Sequence, residues 1–199
     1  MSQSVAARRR VTREDYRSLP EGPPYYELID GELVEMTRAR RSHYRLTARL
    51  IHLWEGRISE TLGGELAPEP NLYLPGIDEV YHPDLVYVGP SRLAICNDEG
   101  IEGTPDVICE ILSPSTERLD RYVKMEDFRA AGVPHVWLID PERPVTVEEY
   151  VLEADGRYRL NTIVRAPARF APNAFPGWEI PLADLDAAVA RVTDGPPAG

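Results

Sequence analysis

Six residues near the middle of the chain, Val107-Ile108-Cys109-Glu110-Ile111-Leu112, constrain its fold more than any other stretch. Five of the six are apolar and do not alternate with polar residues, so an extended segment here would be buried on both faces. Strands of that kind lie inside a sheet that carries helices on both sides. The exception is Glu110. A carboxylate in such a setting loses its hydration and must find a cation, a metal ion or hydrogen-bond donors, or else take up a proton. A structural ion pair, or a strand end reaching solvent, would meet the same need, so Glu110 alone does not define a site.

The flanking pattern supplies the rest of the architecture. Thr12 followed by Arg13-Glu14-Asp15 reads as an N-cap and the acidic first turn of a short helix. Asp30-Gly31 separates the strand-like runs 25–29 and 32–36, the strongest short-range hairpin signal. Ser42 is the expected N-cap of a helix over 43–62, with Leu46, Leu50 and Leu53 on its core face. Arg41, Arg45 and Arg49 stripe another face and are the best candidates for nucleic-acid phosphate contact, although a solvated face has the same pattern. Strands are expected at 65–74, 82–88 and 106–112, with a polar connection over 89–104 that holds one helical turn. A helix over 117–131 is closed by Gly132. A buried strand at 136–139, a hairpin of 145–152 with 157–165, and a short helix after Pro181 complete the order. This predicts a mixed α/β fold: a central mixed sheet flanked by helices, with an N-terminal helix and hairpin and a C-terminal extension. A chain of 199 residues suits a single domain. Its core is expected at about 25–182, with 1–11 and 193–199 disordered.

A second carboxylate, Asp84, begins the apolar strand 82–88. If that strand pairs with 106–112, Asp84 and Glu110 can lie side by side, because neighbouring strands are about 4.8 Å apart. Two such carboxylates suit a hard dication. Asp106, four residues before Glu110 on the same strand, is about 13 Å from it and cannot share that ion. It is expected to cap or orient the strand entry.

Lys124 supplies a third element. The chain has 21 arginines and this single lysine. From Glu110 to the strand end the chain climbs about 10 Å. The following helix returns roughly 9 Å by Lys124, level with Glu110 if it packs antiparallel to the strand. A compact ammonium beside a metal-bound carboxylate can orient a water or stabilise developing negative charge. The alternative is a surface lysine paired i,i+4 with Asp120. Glu27 in the hairpin and His43 at the helix start are second-rank candidates for the same site.

Composition limits the partners. The formal charge is −11, which argues against broad nonspecific coating of DNA but not against a local basic strip or a metal-bridged phosphate. Cys96 and Cys109 form no metal-ligand spacing, and Cys109 reads as a small buried hydrophobe. A reducing, cytoplasmic location is expected. No stretch approaches 18 apolar residues, so no membrane span is expected. The first ten residues hold arginines but no apolar core of a secretory signal.

Taken together these residues resemble the PD-(D/E)XK nuclease superfamily and, more narrowly, its Uma-two family of restriction-endonuclease-like proteins, common in bacteria with large genomes. The resemblance lies in Tyr26-Glu27-Leu28-Ile29-Asp30-Gly31-Glu32, His43, Pro83-Asp84 and the run Pro105 to Thr116. It continues through Asp120, Lys124, Gly132 to Pro141 and Phe175-Pro176-Gly177. It implies a restriction-endonuclease-like core. It also implies Asp84 and Glu110 as ligands of Mg2+ or Mn2+, Lys124 as the catalytic lysine, and metal-dependent endonucleolytic hydrolysis of DNA. Two residues after Glu110 stands Leu112, where the plain motif has lysine. In the family that lysine stands on the following helix, which matches Lys124. By analogy with enzymes that cut both strands, a homodimer is expected. Two competing readings remain: a catalytically silent nuclease-fold binding or assembly module, and a different metal hydrolase built on His43, His82 and Asp84. The acidic total favours the silent module, and the retained lone lysine favours the nuclease.

Overall fold

The apolar run lies where its composition demands, inside a six-stranded sheet. The computed structural model describes residues 10–36 and 39–193. Helix α1 (Arg13–Arg17) leads into a hairpin of β1 (Tyr26–Ile29) and β2 (Glu32–Glu35). Helix α2 (Arg41–Arg57) continues as a π-helical turn, Ile58–Leu62. Strands β3 (Glu65–Pro68), β4 (Leu72–Tyr73) and β5 (Leu85–Val88) follow. A 3-10 turn, Pro90–Ile95, precedes β6 (Cys96–Asn97), β7 (Gly100–Glu102) and β8 (Val107–Ile111). A second π-helical segment, Leu119–Lys124, runs into α3 (Met125–Ala130). Strands β9 (His135–Asp140), β10 (Thr146–Leu152), β11 (Tyr158–Arg165), β12 (Arg169–Phe170) and β13 (Ile180–Pro181) precede α4 (Leu182–Thr193).

The central sheet has the order β11-β10-β9-β8-β5-β3. Strands β8 and β9 run parallel and the other neighbours antiparallel. Every residue of β8 is buried. Val107, Cys109 and Ile111 pack with Leu46, Leu50 and Trp54 of α2 and with Leu182, Leu185 and Val189 of α4. Ile108 and Leu112 pack on the opposite face with Met125 and Phe128 of α3. By strand alternation Glu110 belongs to that second face.

An aromatic stack fastens α2 to the sheet. The fully buried Trp54 lies 4.6 Å, ring to ring, from Trp137 of β9 and meets Phe175 and Trp178 edge-on at 5.6 and 5.7 Å. At the N-terminus Thr12 closes a capping box with Asp15. The Asp30-Gly31 turn adopts positive φ at both residues, 51° and 72°, the geometry that makes Asp-Gly a hairpin signal.

Several expectations change. Residues 65–74 are not one strand. Glu69 at φ 47° followed by Pro70 breaks them, so β3 joins the central sheet while β4 pairs with β7 in a separate three-stranded sheet. Ser42 is not the N-cap: α2 starts at Arg41, with Arg40 extended before it and no side-chain cap. The connection 89–104 contains the β6–β7 pair as well as the helical turn. Residues 1–9 and 194–199, expected to be disordered, lie outside the described residues. Within the same expected ends, Val11 donates its N–H to Gly31 O at 2.9 Å, Arg10 pairs with Asp30, and Thr193 closes α4. Among the described residues no helix is long and apolar enough to cross a membrane.

Replacing Trp54 with alanine would remove the centre of the stack. Trp54→Ala is expected to destabilise the fold by about 3–5 kcal/mol, read from urea denaturation.

Candidate active site

Strand register delivers the first two carboxylates. In the β5–β8 pair Leu85 faces Cys109, so Asp84 and Glu110 come next to each other one step beyond. Each is held by the other strand's backbone. The Asp84 N–H donates to Glu110 Oε2 at 3.4 Å, and the Ile111 N–H donates to Asp84 Oδ2 at 2.6 Å. The remaining Asp84 oxygen, Oδ1, lies 2.7 Å from His43 Nε2 in the first turn of α2.

The return of the chain over β8 brings Lys124 to Glu110 as the rise arithmetic expects. Its Nζ lies 2.9 Å from Glu27 Oε1, 3.1 Å from Glu110 Oε1 and 3.2 Å from Asp120 Oδ1. The four side chains are 5%, 9%, 4% and 3% exposed, so this is a buried cluster rather than a surface pair. The i,i+4 contact with Asp120 does form, but on a buried lysine rather than a surface one, and it coexists with the contact to Glu110. Glu27 arrives through the hairpin. Two backbone hydrogen bonds of 3.0 Å tie Leu28 to Val80, which sets Glu27 beside His82, whose N–H donates to Glu27 Oε1 at 3.1 Å. The Tyr81 ring lies 5.8 Å below the ammonium. Asp120 Oδ1 is buried and has no hydrogen bond, so ion-pair attraction to Lys124 is what holds it.

Burial pushes the Glu110 carboxyl well above its ordinary pKa; Lys124 opposes that push, while Asp120, Asp84 and Glu27 add to it. Asp120 is raised by burial for the same reason, again against Lys124. Burial alone would discharge Lys124, but Glu110, Glu27 and Asp120 outweigh it and hold the ammonium well above its usual range. Burial likewise opposes charge on His43, yet its hydrogen bond to Asp84 and the surrounding carboxylates raise its pKa.

Other expected residues go elsewhere. His82 turns its ring away: Nε2 lies 2.6 Å from the Tyr16 hydroxyl and Nδ1 3.4 Å from Glu69 O, and burial lowers its pKa. The three-residue set His43, His82 and Asp84 therefore does not assemble as a metal centre. Arg45 and Arg49 are spent on α4, through Ala188 O at 2.9 Å and Asp184 Oδ2 at 2.6 Å, so the expected phosphate stripe is an interhelical contact. The apolar face of α4 must cover α2, and the stripe lies at the edge of that contact. Only Arg41 of the three stays exposed. Asp106 caps the Gly89 N–H at 2.7 Å, as its place at the strand entry implies. Asp120 was legible only as a partner of Lys124. Its i,i+4 spacing to the lone lysine is the one signal that points to the cluster.

The donors present are hard oxygens, and Glu27, Asp84, Glu110 and Asp120 outnumber Lys124 and His43. That chemistry fits a Mg2+-like ion at Asp84 and Glu110. Among the described residues no three His, Cys, Asp or Glu side chains converge as a ligand group. Two carboxylates match an ion that keeps several waters and shares substrate phosphates.

A family model described as "Uma2: Putative restriction endonuclease" matches residues 13–183. The "Uncharacterized protein sll1609" of Synechocystis sp. is 22% identical over 161 residues, 80% of this chain and 91% of that protein. A crystal structure from Anabaena variabilis, described as "a putative nuclease belonging to DUF820", is similar with a TM-score of 0.73 and 20% identity, over 90% of this chain and 99% of that one. The likeness establishes the fold as the mixed α/β architecture expected from the sequence.

Lys124→Met removes the ammonium and keeps most of the stem. Three buried carboxylates then lose their counter-charge, a loss expected to cost about 3–5 kcal/mol near neutral pH. Without Lys124 the already raised Glu110 and Asp120 rise further. A carboxyl whose folded pKa exceeds its unfolded one binds its proton more tightly when folded. The variant's stability is therefore greatest in acid and falls as pH climbs above the ordinary carboxylate range of about 4. Urea denaturation of wild type and variant at about pH 5 and pH 8 checks this, and an equal deficit at both pH values contradicts it.

Proposed function

This chain belongs to the Uma2 family, described as "Putative restriction endonuclease", and we propose that it is a metal-dependent endonuclease that hydrolyses DNA phosphodiester bonds. The observation that carries the reading is the meeting of Asp84, Glu110 and Lys124, from three different elements, at one end of the sheet. Asp84 and Glu110 would hold Mg2+ or Mn2+. When bound, the ion would neutralise phosphate charge and make a water more acidic.

The chain's own groups then have separate tasks. His43 and the Ile111 N–H fix the two oxygens of Asp84, so that the carboxylate enters the reaction already oriented. Lys124, already charged and held on Glu110 Oε1, offers a compact donor to negative charge that develops on a phosphate oxygen. Glu27 and Asp120 keep that ammonium in place and charged. Arginine is a planar fork and would not fit the same three contacts, which accounts for a lone lysine among so many arginines.

A silent binding module is the second reading. It is favoured by the fact that all four oxygens of Asp84 and Glu110 are already engaged, by His43, Ile111, Lys124 and the Asp84 N–H.

The deciding experiment is nicking of supercoiled plasmid with Mg2+ or Mn2+ by wild type, Glu110→Gln and Lys124→Arg, with thermal melts to confirm folding. Both variants are expected to lose activity by about 10² or more, the scale of one positioned transition-state donor. No metal-dependent cleavage by the folded wild type on any DNA decides for the silent module. Equal cleavage by all three assigns the activity to another site or a contaminant.

A further inference from the structure

We infer that a second site, at the opposite end of β8 from Glu110, binds a small planar heterocycle through a carboxylate and an imidazole, and that guanine, with a ring N–H beside an amino group, is the base it fits. The observation is a cavity of about 500 Å³ where β5 ends and β8 and β9 begin. That volume lies in the range of small-molecule sites. Leu62, Tyr87 and Phe175 supply apolar walls, and Ser91, Asp106 and His135 supply polar ones. Asp106 and Glu110 are four extended residues apart, about 13 Å, so the cavity is separate from the cluster around Lys124. The proposal does not rest on the nuclease reading.

Two polar groups lining the cavity keep hydrogen-bonding capacity that the fold does not use. The Nδ1 of His135 is buried and has no hydrogen-bond partner among the described residues. Such atoms are uncommon, because nothing offsets the loss of their hydration. Burial lowers the His135 pKa against the pull of Glu149 and Asp106, so near pH 7 the ring is neutral and carries one N–H and one lone pair. Asp106 commits one oxygen, Oδ2, to the Gly89 N–H at 2.7 Å. Its Oδ1 lies 3.6 Å from an Arg92 guanidinium nitrogen, beyond hydrogen-bond reach, and that nitrogen donates to Thr104 O at 3.1 Å instead. A side chain at Gly89 would crowd the carboxylate, since a Cβ there would stand 3.1 Å from Oδ2.

The walls select the class of occupant. The Tyr87 hydroxyl is spent on Gly63 O at 3.0 Å, so Tyr87 offers its ring alone, and Phe175 meets that ring edge-on at 5.1 Å. Aromatic walls favour a flat occupant. A carboxylate accepts and cannot donate, so it selects a molecule with N–H donors. Guanine carries two adjacent donors on one edge for Asp106 and the acceptors O6 and N7 on another for a His135 N–H or the Ser91 hydroxyl. No lysine or arginine is among the described residues that line the cavity, so a phosphate gains nothing there and the occupant is a base or nucleoside. Leu62 comes from the π-helical turn Ile58–Leu62, a winding frequent at functional sites.

The test is an NMR titration of the full chain with guanosine, inosine, adenosine and guanosine monophosphate, with thermal melts to confirm that each variant folds. Guanosine is expected to bind with a Kd below about 1 mM. Inosine lacks the amino group and adenosine the ring N–H, and each is expected to bind about tenfold more weakly or worse. The monophosphate is expected to bind no tighter than guanosine. Asp106→Asn keeps an acceptor for the Gly89 N–H but loses the charge, and is expected to weaken guanosine about tenfold; His135→Phe keeps a ring without nitrogen, and is expected to weaken it about fivefold. Leu160→Ala, an exposed apolar change on β11, is the control that should leave binding unchanged. No guanosine binding by the folded wild type overturns the inference and leaves water as the partner of His135. Inosine or adenosine binding as tightly as guanosine, or Asp106→Asn binding like wild type, overturns it as well. None of these results bears on plasmid cleavage, which the nuclease reading assigns to Asp84, Glu110 and Lys124.

Discussion

One buried ammonium, Lys124, organises the end of the sheet where the candidate site lies. It is the meeting point of the hairpin through Glu27, the central sheet through Glu110, and the segment before α3 through Asp120. These elements contribute little to one another in the sequence, and one charge holds three carboxylates that none could keep buried alone. Adding Asp84 and His43 leaves acidic groups in excess. Stability does not select such an arrangement, because apolar side chains of similar volume would serve as well or better. The excess suits a site that takes up a cation.

The rest of the fold serves that point. Strand β8 has to be apolar on both sides because helices cover both faces, and its alternation turns Glu110 toward the face beneath Lys124. The aromatic stack around Trp54 fixes α2 on the other face, and the start of that helix carries His43 to Asp84. The π-helical segment Leu119–Lys124 carries Asp120 and Lys124 inward together, on the one face that their i,i+4 spacing gives them. Such windings occur often where a helix has a functional residue to present.

The fold was legible where local chemistry and burial agree. The Asp-Gly turn, the capped first helix, the buried strand 107–112 and the hairpin 145–165 all carry signals that one segment can express alone. Expectations failed where a distant partner decides. Glu69 and Pro70 divide an apparently continuous strand between two sheets, and only the presence of β7 makes that division favourable. The arginine stripe looks like a nucleic-acid contact until α4 is laid across it. The π-helical winding has no distinctive residue pattern and was not foreseen.

For the site, the sequence by itself determined which groups were costly to bury: Glu110 in an apolar strand, Asp84 at the start of another, and one lysine among arginines. It also allowed Asp84 and Glu110 to be neighbours if their strands paired, and the register that sets Leu85 against Cys109 made them so. Only the tertiary structure decided that Glu27 and Asp120 would share Lys124, and that His82 would face Tyr16 instead of Asp84. The physical reason is range. Burial cost and periodicity are properties of a few consecutive residues, whereas the partner that offsets a buried charge comes from whichever segment packing brings within about 3 Å.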